Sequence, residues 1–303
     1  MDSNLRTAEP ALSAVGLGCN NFGMKLDEGA SISVVHAALD AGVTHFDTAE
    51  MYGGGKSEEF LGRALRDRRS AAFVATKFSP RPGDEAFESG ALSRRIREAC
   101  EGSLRRLGTD HIDLYYQHYP DADAPLDELL TTMGELVDEG KVRHIARSNV
   151  DHGDLERAAA TTAAVQVEWS LLNRDVEVDL VPAAERLGIG VVPYFPLASG
   201  LLSGKYRKGE PFPEGSRLDS MSYFASVATD DNMERVERLR AAAEGHGHSL
   251  LELAVAWLLA QPSVLSVICG ATTAEQVAAN SVAAGWTLDE GTLAEVESAL
   301  DLS

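Results

Sequence analysis

What this 303-residue sequence lacks narrows the possibilities first. Cysteine is scarce: only Cys19, Cys100 and Cys269 occur, too few and too widely spaced for a disulfide framework or a zinc knuckle. No stretch approaches the roughly 20 apolar residues that a membrane helix needs. The opening MDSNLRTAEP has no apolar run of the kind a secretory signal requires. Positive charge is short, with 27 Lys and Arg against 47 Asp and Glu, a formal net charge of −20. So acidic a chain repels nucleic acid and anionic membrane surfaces, although a local basic patch can still hold a small anion. Linkers rich in proline or serine and low-complexity tracts are also missing. The expectation is a single domain over residues 1–303, reduced and cytoplasmic, with no metal. Nothing in the sequence sets a subunit number, and a monomer is compatible with it.

What is present has a repeating order. A helical face ends at a glycine, and a short β-branched or aromatic run follows. Ile32, Val35 and Leu39 precede Gly42 and VTHFDTA; Ile96, Cys100, Leu104 and Leu107 precede Gly108 and HIDLYYQH. Leu126, Leu129, Met133 and Val137 precede Gly140 and KVRHIARSN; Leu180, Ala184 and Leu187 precede Gly188 and IGVVPYFPL. Glycine past a helix end takes positive φ without strain. Short apolar runs between helices predict strands buried on both faces, hence a parallel sheet. With SAVGLGC, AAFVATKF, AAVQVEW and SVLSVICG the count reaches eight, which favours a closed (β/α)8 TIM barrel with outer helices. An open doubly wound sheet is the alternative. The one long irregular segment, Ser203 to Asp231, follows strand 7, and helices are predicted near Asn232–Glu244, Leu250–Leu259 and Asp289–Leu302.

Two motifs mislead. GGGKS resembles the end of a phosphate-binding loop, but Glu50 stands where that loop needs its first glycine, and its charge repels phosphate. Gly16-Leu17-Gly18 begins like a dinucleotide fingerprint, yet Asn21 replaces the third glycine and no helix follows directly.

Barrel chemistry sits at the carboxyl ends of strands. There the sequence places Asp47 with Tyr52 on its loop, then Lys77, His118, Ser148-Asn149, and Gln166 with Trp169. Each has an ordinary explanation: Asp47 as a helix cap, Lys77 as a surface charge, His118 as a packed ring among Tyr115, Tyr116 and Tyr119. Jointly they favour catalysis. A phenol is a weak acid, with a reference pKa of ~10. A lysine beside it eases proton loss, and an aspartate keeps that lysine charged. A histidine donor can orient a carbonyl oxygen.

With GLGCNNFG, FDTAEMYGGGKSEEFLGRAL, VATKF, IDLYYQHYPD, GKVRHIARSNV, QVEWSLLNR, VVPYFPLASGLLSGKY and GATTAEQVAAN in order, the chain resembles the aldo-keto reductase superfamily over nearly its whole length. The resemblance implies a barrel that binds NADP(H) across its mouth and reduces an aldehyde or ketone. In it Tyr52 is the general acid, Lys77 and Asp47 tune it, and His118 orients the substrate. It implies cofactor contacts from Gly18, Cys19 and Asp47, and nicotinamide amide contacts from Ser148, Asn149 and Gln166, with Trp169 stacking on the ring. Pro196, Leu197, Ala198, Gly200 and Leu201 resemble the pyrophosphate-lining segment, and Lys205 and Arg217 the phosphate-binding cations. Gly270, Thr272, Gln276 and Asn280 match the adenosine end. Gly270 and Gln276 depart from the basic residues common there, which weakens the NADPH preference; Arg147 and Phe195 are further departures.

Two other readings share these residues: an alcohol or sugar dehydrogenase working in reverse, and a slow redox-sensing NADPH binder like the potassium-channel beta subunits. Specificity is expected in the segments Phe22–Leu26, Tyr119–Pro125 and Ser203–Asp231. Phe22, Met24, Met51, Tyr119 and Trp169 suggest apolar walls, and the short chain after the last helix suggests an open pocket.

Overall fold

Eight short strands carry the architecture of this computed structural model, which describes residues 5–80, 88, 90–220 and 225–302, excepting the side chains of Arg6, Arg217 and Ser220. They are β1 (Val15–Gly18), β2 (His45–Asp47), β3 (Phe73–Phe78), β4 (Ile112–Gln117), β5 (Val142–Ser148), β6 (Ala164–Glu168), β7 (Gly190–Tyr194) and β8 (Val267–Gly270). All pair in parallel in the order β7-β6-β5-β4-β3-β2-β1-β8. The gap between β7 and β8 is bridged just ahead of β8: Val191 N–H donates to Ser263 O at 2.8 Å and Leu265 N–H to Val191 O at 2.9 Å. The sheet is thus a barrel, and the open doubly wound alternative is excluded.

The helices lie outside. In chain order they are α1 (Glu28–Asp40), α2 (Lys56–Leu65), α3 (Ala91–Leu107), α4 (Leu126–Asp138), α5 (His152–Arg157), α6 (Leu180–Leu187), α7 (Arg217–Ser220), α8 (Asp230–Gly245), α9 (Leu250–Leu259), α10 (Ala274–Val282) and α11 (Glu290–Leu300). Among the described residues, none is long and apolar enough to cross a membrane. The caps explain several boundaries. Asp27, Asp151, Thr229, Thr273 and Asp289 each accept a first-turn N–H, and Ser249 and Glu252 form a reciprocal capping box on α9.

Strand alternation divides the side chains into two cores. Phe73, Ala75, Leu114, Tyr116, Ala146, Ala164, Val192 and Ile268 fill the barrel interior. The intervening residues, among them Phe46, Val74, Tyr115 and Ile145, pack outward against α1 to α4. Following the inward parity to the strand ends leads to Gly18, Asp47, Lys77, His118, Ser148, Gln166 and Tyr194. The site is therefore the continuation of the barrel's own packing.

The expected irregular segment, Ser203 to Asp231, follows a kinked 3-10 stretch at Ala198–Ser203 and carries one short helical piece, α7, before α8 begins at Asp230, while residues 221–224 lie outside the described set. Tyr206 anchors it: the side chain is 1% exposed, its ring packs on Phe212, and its hydroxyl accepts Leu218 N–H at 3.4 Å.

Candidate active site

Three consecutive glycines explain how Tyr52 is carried. Gly53, Gly54 and Gly55 have φ of 59, 66 and 94°, and a Cβ at Gly53 would stand 2.7 Å from Phe22 O. Only glycine takes such a run without strain. The tight turn sets Tyr52 over the barrel mouth immediately ahead of α2. Glu50 meanwhile accepts Ser79 N–H at 2.9 Å and pairs with Arg95, so the carboxylate that spoiled the phosphate-loop motif ties the β2 and β3 loops together.

Under the turn, Lys77 and Asp47 form a buried pair, Nζ to Oδ1 2.5 Å, with neither side chain more than 5% exposed. Lys77 Nζ also donates to Thr48 O at 2.9 Å and lies 5.2 Å from the Tyr52 ring centroid. Gln166 Nε2 donates to the other Asp47 oxygen at 2.7 Å. Both carboxylate oxygens are thus satisfied, which a buried charge requires. Burial opposes the charge on Lys77, but Asp47 and Tyr52 outweigh it and hold the amine's pKa above its ordinary value.

Burial pushes the Tyr52 phenol upward; Lys77 pulls it back without cancelling the rise. The sequence emphasised the lysine's downward pull, and in the fold desolvation is the larger effect. At neutral pH the phenol keeps its proton, the form an acid must have.

His118 meets Tyr52 edge to face, centroids 5.7 Å apart, and its other neighbour, Tyr119, stacks on it at 4.3 Å. Burial, then the Lys77 charge, lowers its pKa to about 3, so the imidazole is neutral at physiological pH. Its Nδ1 is buried with no hydrogen-bond partner among the described residues. The ring is held by aromatic contacts rather than by the hydrogen bond that usually orients a histidine.

Beside this cluster Ser148, Asn149, Gln166 and Tyr194 form a polar network. Ser148 Oγ donates to Gln166 O at 3.0 Å, Asn149 Nδ2 donates to His118 O at 3.0 Å, and Tyr194 hydroxyl donates to Asn149 Oδ1 at 2.7 Å. Asn149 takes positive φ, 59°, which turns its amide back over the mouth.

Residues 14–301 match the Aldo/keto reductase family. The chain belongs to the aldo/keto reductase family. It is 36% identical over 299 residues to a Glycine max protein described as "Probable aldo-keto reductase 1", covering 96% of this chain and 86% of that one. Among solved structures it resembles the glycerol dehydrogenase of Gluconobacter oxydans, with TM-score 0.85, 30% identity, and coverage of 99% of this chain and 96% of that one. An aldo-keto reductase of Klebsiella pneumoniae in complex with NADPH is also similar, with TM-score 0.74, 30% identity, and 95% and 91% coverage. Like its relatives, this reductase is an oxidoreductase of carbonyl and alcohol groups.

Not every residue that the sequence placed at the mouth of the reductase faces it. Trp169 follows the outward parity of Val165 and Val167. Its indole is 1% exposed, packed edge-on against Trp257 and hydrogen-bonded to Glu177 at 2.9 Å, so no ring face is turned to the mouth. The aromatic with inward parity is Tyr194, one strand over and missed in the sequence; its position at the end of VVPYFPL was the available signal. Phe22 is likewise core, fully buried. The apolar rim consists instead of Met24, Met51 and Tyr119, which are 72, 54 and 48% exposed.

Cys19 also has outward parity. Its thiol is buried and donates to Leu17 O, and only its backbone meets the site, through N–H to Asp47 O at 2.8 Å. Gly18 pairs with both Asp47 and Gly270, and a Cβ there would crowd Ile268 at 3.0 Å. Arg147, alternating with inward Ser148, points outward and is buried, donating to Gln117 Oε1 and Asp154 O at 2.9 Å each. It braces β5 against β4 and α5. Phe195 takes φ of 53° and packs edge-on against Tyr194.

Beyond β7, Pro196 and Leu197 lead into Ala198, Ser199 and Gly200, all at positive φ, while Leu201 is fully buried as the anchor. Such strain in non-glycine residues marks a turn held by its surroundings. Lys205 is exposed, its ammonium 3.8 Å from where a Gly200 Cβ would stand. The Arg217 side chain lies outside the described residues. Thr272 N–H and hydroxyl both donate to Gln276 Oε1, at 2.8 and 3.1 Å, and Asn280 Nδ2 donates to Gly270 O at 3.4 Å. These tie the start of α10 to the end of β8.

Proposed function

We propose that this chain is an NADP(H)-dependent carbonyl reductase in which Tyr52 is the general acid. The supporting observation is the meeting of a buried Lys77–Asp47 pair, the Tyr52 ring and a neutral His118 at one point of the mouth. When bound, NADPH supplies hydride to the carbonyl carbon. The residues at and after the strand ends fit such a cofactor: amide and hydroxyl groups at Ser148, Asn149 and Gln166 suit a carboxamide, and a cation beside the glycine turn at Gly200 suits phosphate. The inward aromatic for stacking on a planar ring is Tyr194 rather than Trp169.

His118, neutral, offers an N–H to the substrate oxygen without adding a second positive charge beside Lys77. Tyr52 gives its proton to that oxygen as negative charge develops there. Lys77 stabilises the phenolate left behind, and Asp47 keeps the lysine charged and in place. The exposed Met24, Met51 and Tyr119 side chains favour aliphatic and aromatic carbonyl compounds over small polar ones. The same groups serve alcohol oxidation in reverse.

The test is Tyr52→Phe. Turnover with a reactive aromatic aldehyde should fall by roughly two to four orders of magnitude, as loss of an acid-base group does. NADPH affinity, read by fluorescence titration, should stay the same. A Phe variant that turns over normally at saturation, or a wild type inert to every aldehyde and alcohol in a panel, overturns the assignment.

A further inference from the structure

The helix pair α2 and α3 departs from the charge of the rest of the chain. Residues 56–69 and 91–108 hold ten of the 27 basic residues but five of the 47 acidic ones. Between the C-terminal halves of these helices runs a groove of about 460 Å³, lined by Gly62, Arg63, Arg66, Gly102, Arg105 and Arg106 among others. It lies at the amino-terminal side of the barrel, since Leu107 and Gly108 lead into the start of β4, and so away from the mouth that holds Tyr52.

Glycine builds the groove. A Cβ at Gly62 would run into Leu107 O, so glycine there lets α2 and α3 approach closely. At Gly102 a Cβ would stand 3.0 Å from Arg106 Nη1, so glycine leaves room for that guanidinium over the helix. Arg66 lies one turn beyond Gly62 on the same face of α2.

The arginines differ in whether they are neutralised. Arg106 donates from Nε to Glu58 at 2.6 Å, and Arg63 pairs with Glu28 and with Glu59, the acid on the groove wall. Among the described residues, Arg66 and Arg105 have no such partner. Of all arginine side chains among the described residues, Arg66, Arg94 and Arg105 alone make no ion pair or hydrogen bond, and two of these three line this groove. The carbonyl ends of α2 and α3 attract cations, which accounts for basic residues there. It does not account for two guanidinium groups left without a carboxylate in so acid-rich a chain.

We propose that this groove is a second binding site, for a small phosphate-bearing anion. Guanidinium groups with free donors match phosphate oxygens two at a time, and the volume lies in the range of small-ligand sites, ~300–1,000 Å³. A flat acidic partner surface needs no such concavity.

The probe is inorganic pyrophosphate, titrated calorimetrically into the full chain saturated with NADPH, so that phosphate-binding groups at the mouth are covered. Saturable binding is expected. The double variant Arg66→Gln/Arg105→Gln should weaken it by roughly tenfold or more, and Arg94→Gln, an equally unpaired arginine off the groove, should leave it unchanged. Neither arginine of the double variant has a partner to orphan, and an unchanged melting temperature verifies that the fold persists. No saturable binding, or binding indifferent to the double variant, overturns the proposal. Sedimentation velocity covers the other occupant: self-association abolished by the double variant would place a second acidic chain in the groove, and equally overturn it. If NADPH fails to bind, the function proposed for the mouth fails, while the pyrophosphate titration still reads the groove through its variants.

Discussion

Lys77 shows most clearly what a single residue does here. Its side chain has no exposure, and it remains charged because Asp47 and the Thr48 carbonyl take the place of water. Removing one member of such a pair leaves the other charge buried and unsatisfied, which costs about 3–5 kcal/mol. Lys77→Met should therefore lower the unfolding free energy by about that much in a urea titration, as well as slow carbonyl reduction. Loss of activity with undiminished stability would mean that Asp47 recruits another donor or a proton. Trp169 makes the opposite point. Its type invited a stacking role, and only its parity along β6, opposite to Gln166, decided that it joins Trp257 in the outer core.

Among the elements, Gly62 sets how closely α2 approaches the end of α3. Gly62→Ala adds one methyl group against backbone, the Leu107 carbonyl, which cannot rotate away. Helix separation should cost about 1–3 kcal/mol, the usual penalty for overpacking, read as a fall in thermal midpoint. Ala at Gly134, on the neighbouring helix α4, where a Cβ meets nothing within 4 Å, is the control and should leave the midpoint unchanged or raise it. The starts expected near Leu250 and Asp289 were legible from local periodicity, and in the structure Ser249 and Asp289 cap them within three residues. The anchoring of the segment after β7 was not, because Tyr206 acts through contacts with Phe212 and Leu218 that its charged neighbours conceal.

For the whole molecule, acid is the condition that should expose the barrel's polar interior. His45 is fully buried inside the barrel, hydrogen-bonded to Ser266 at 2.9 Å, and burial lowers its pKa from 6.5 to about 4. His118 is lowered to about 3. Between these values and 6.5 the unfolded chain binds more protons than the folded one, so stability is full above about 6.5 and is lost as pH falls toward 4. For His45 the loss is on the order of 3 kcal/mol, from ~2.5 units at 1.36 kcal/mol each. Urea midpoints measured between pH 7 and pH 4 should decline, and His45→Asn should flatten the decline. The variant isolates the histidine from the relief of acidic self-repulsion, which works in the other direction.

The sequence alone determined the strand–helix rhythm, the eightfold count and most of the residues at the strand ends, because periodicity and glycine stops act over a few positions and leave local marks. Only the tertiary structure decided that β8's approach closes the barrel on β7, that Trp169 and Phe22 are core while Tyr194 faces inward, and that burial outweighs Lys77 at the Tyr52 phenol. Each of these turns on which side of the barrel wall a side chain occupies and how much water reaches it. Those quantities exist only once all eight strands have met.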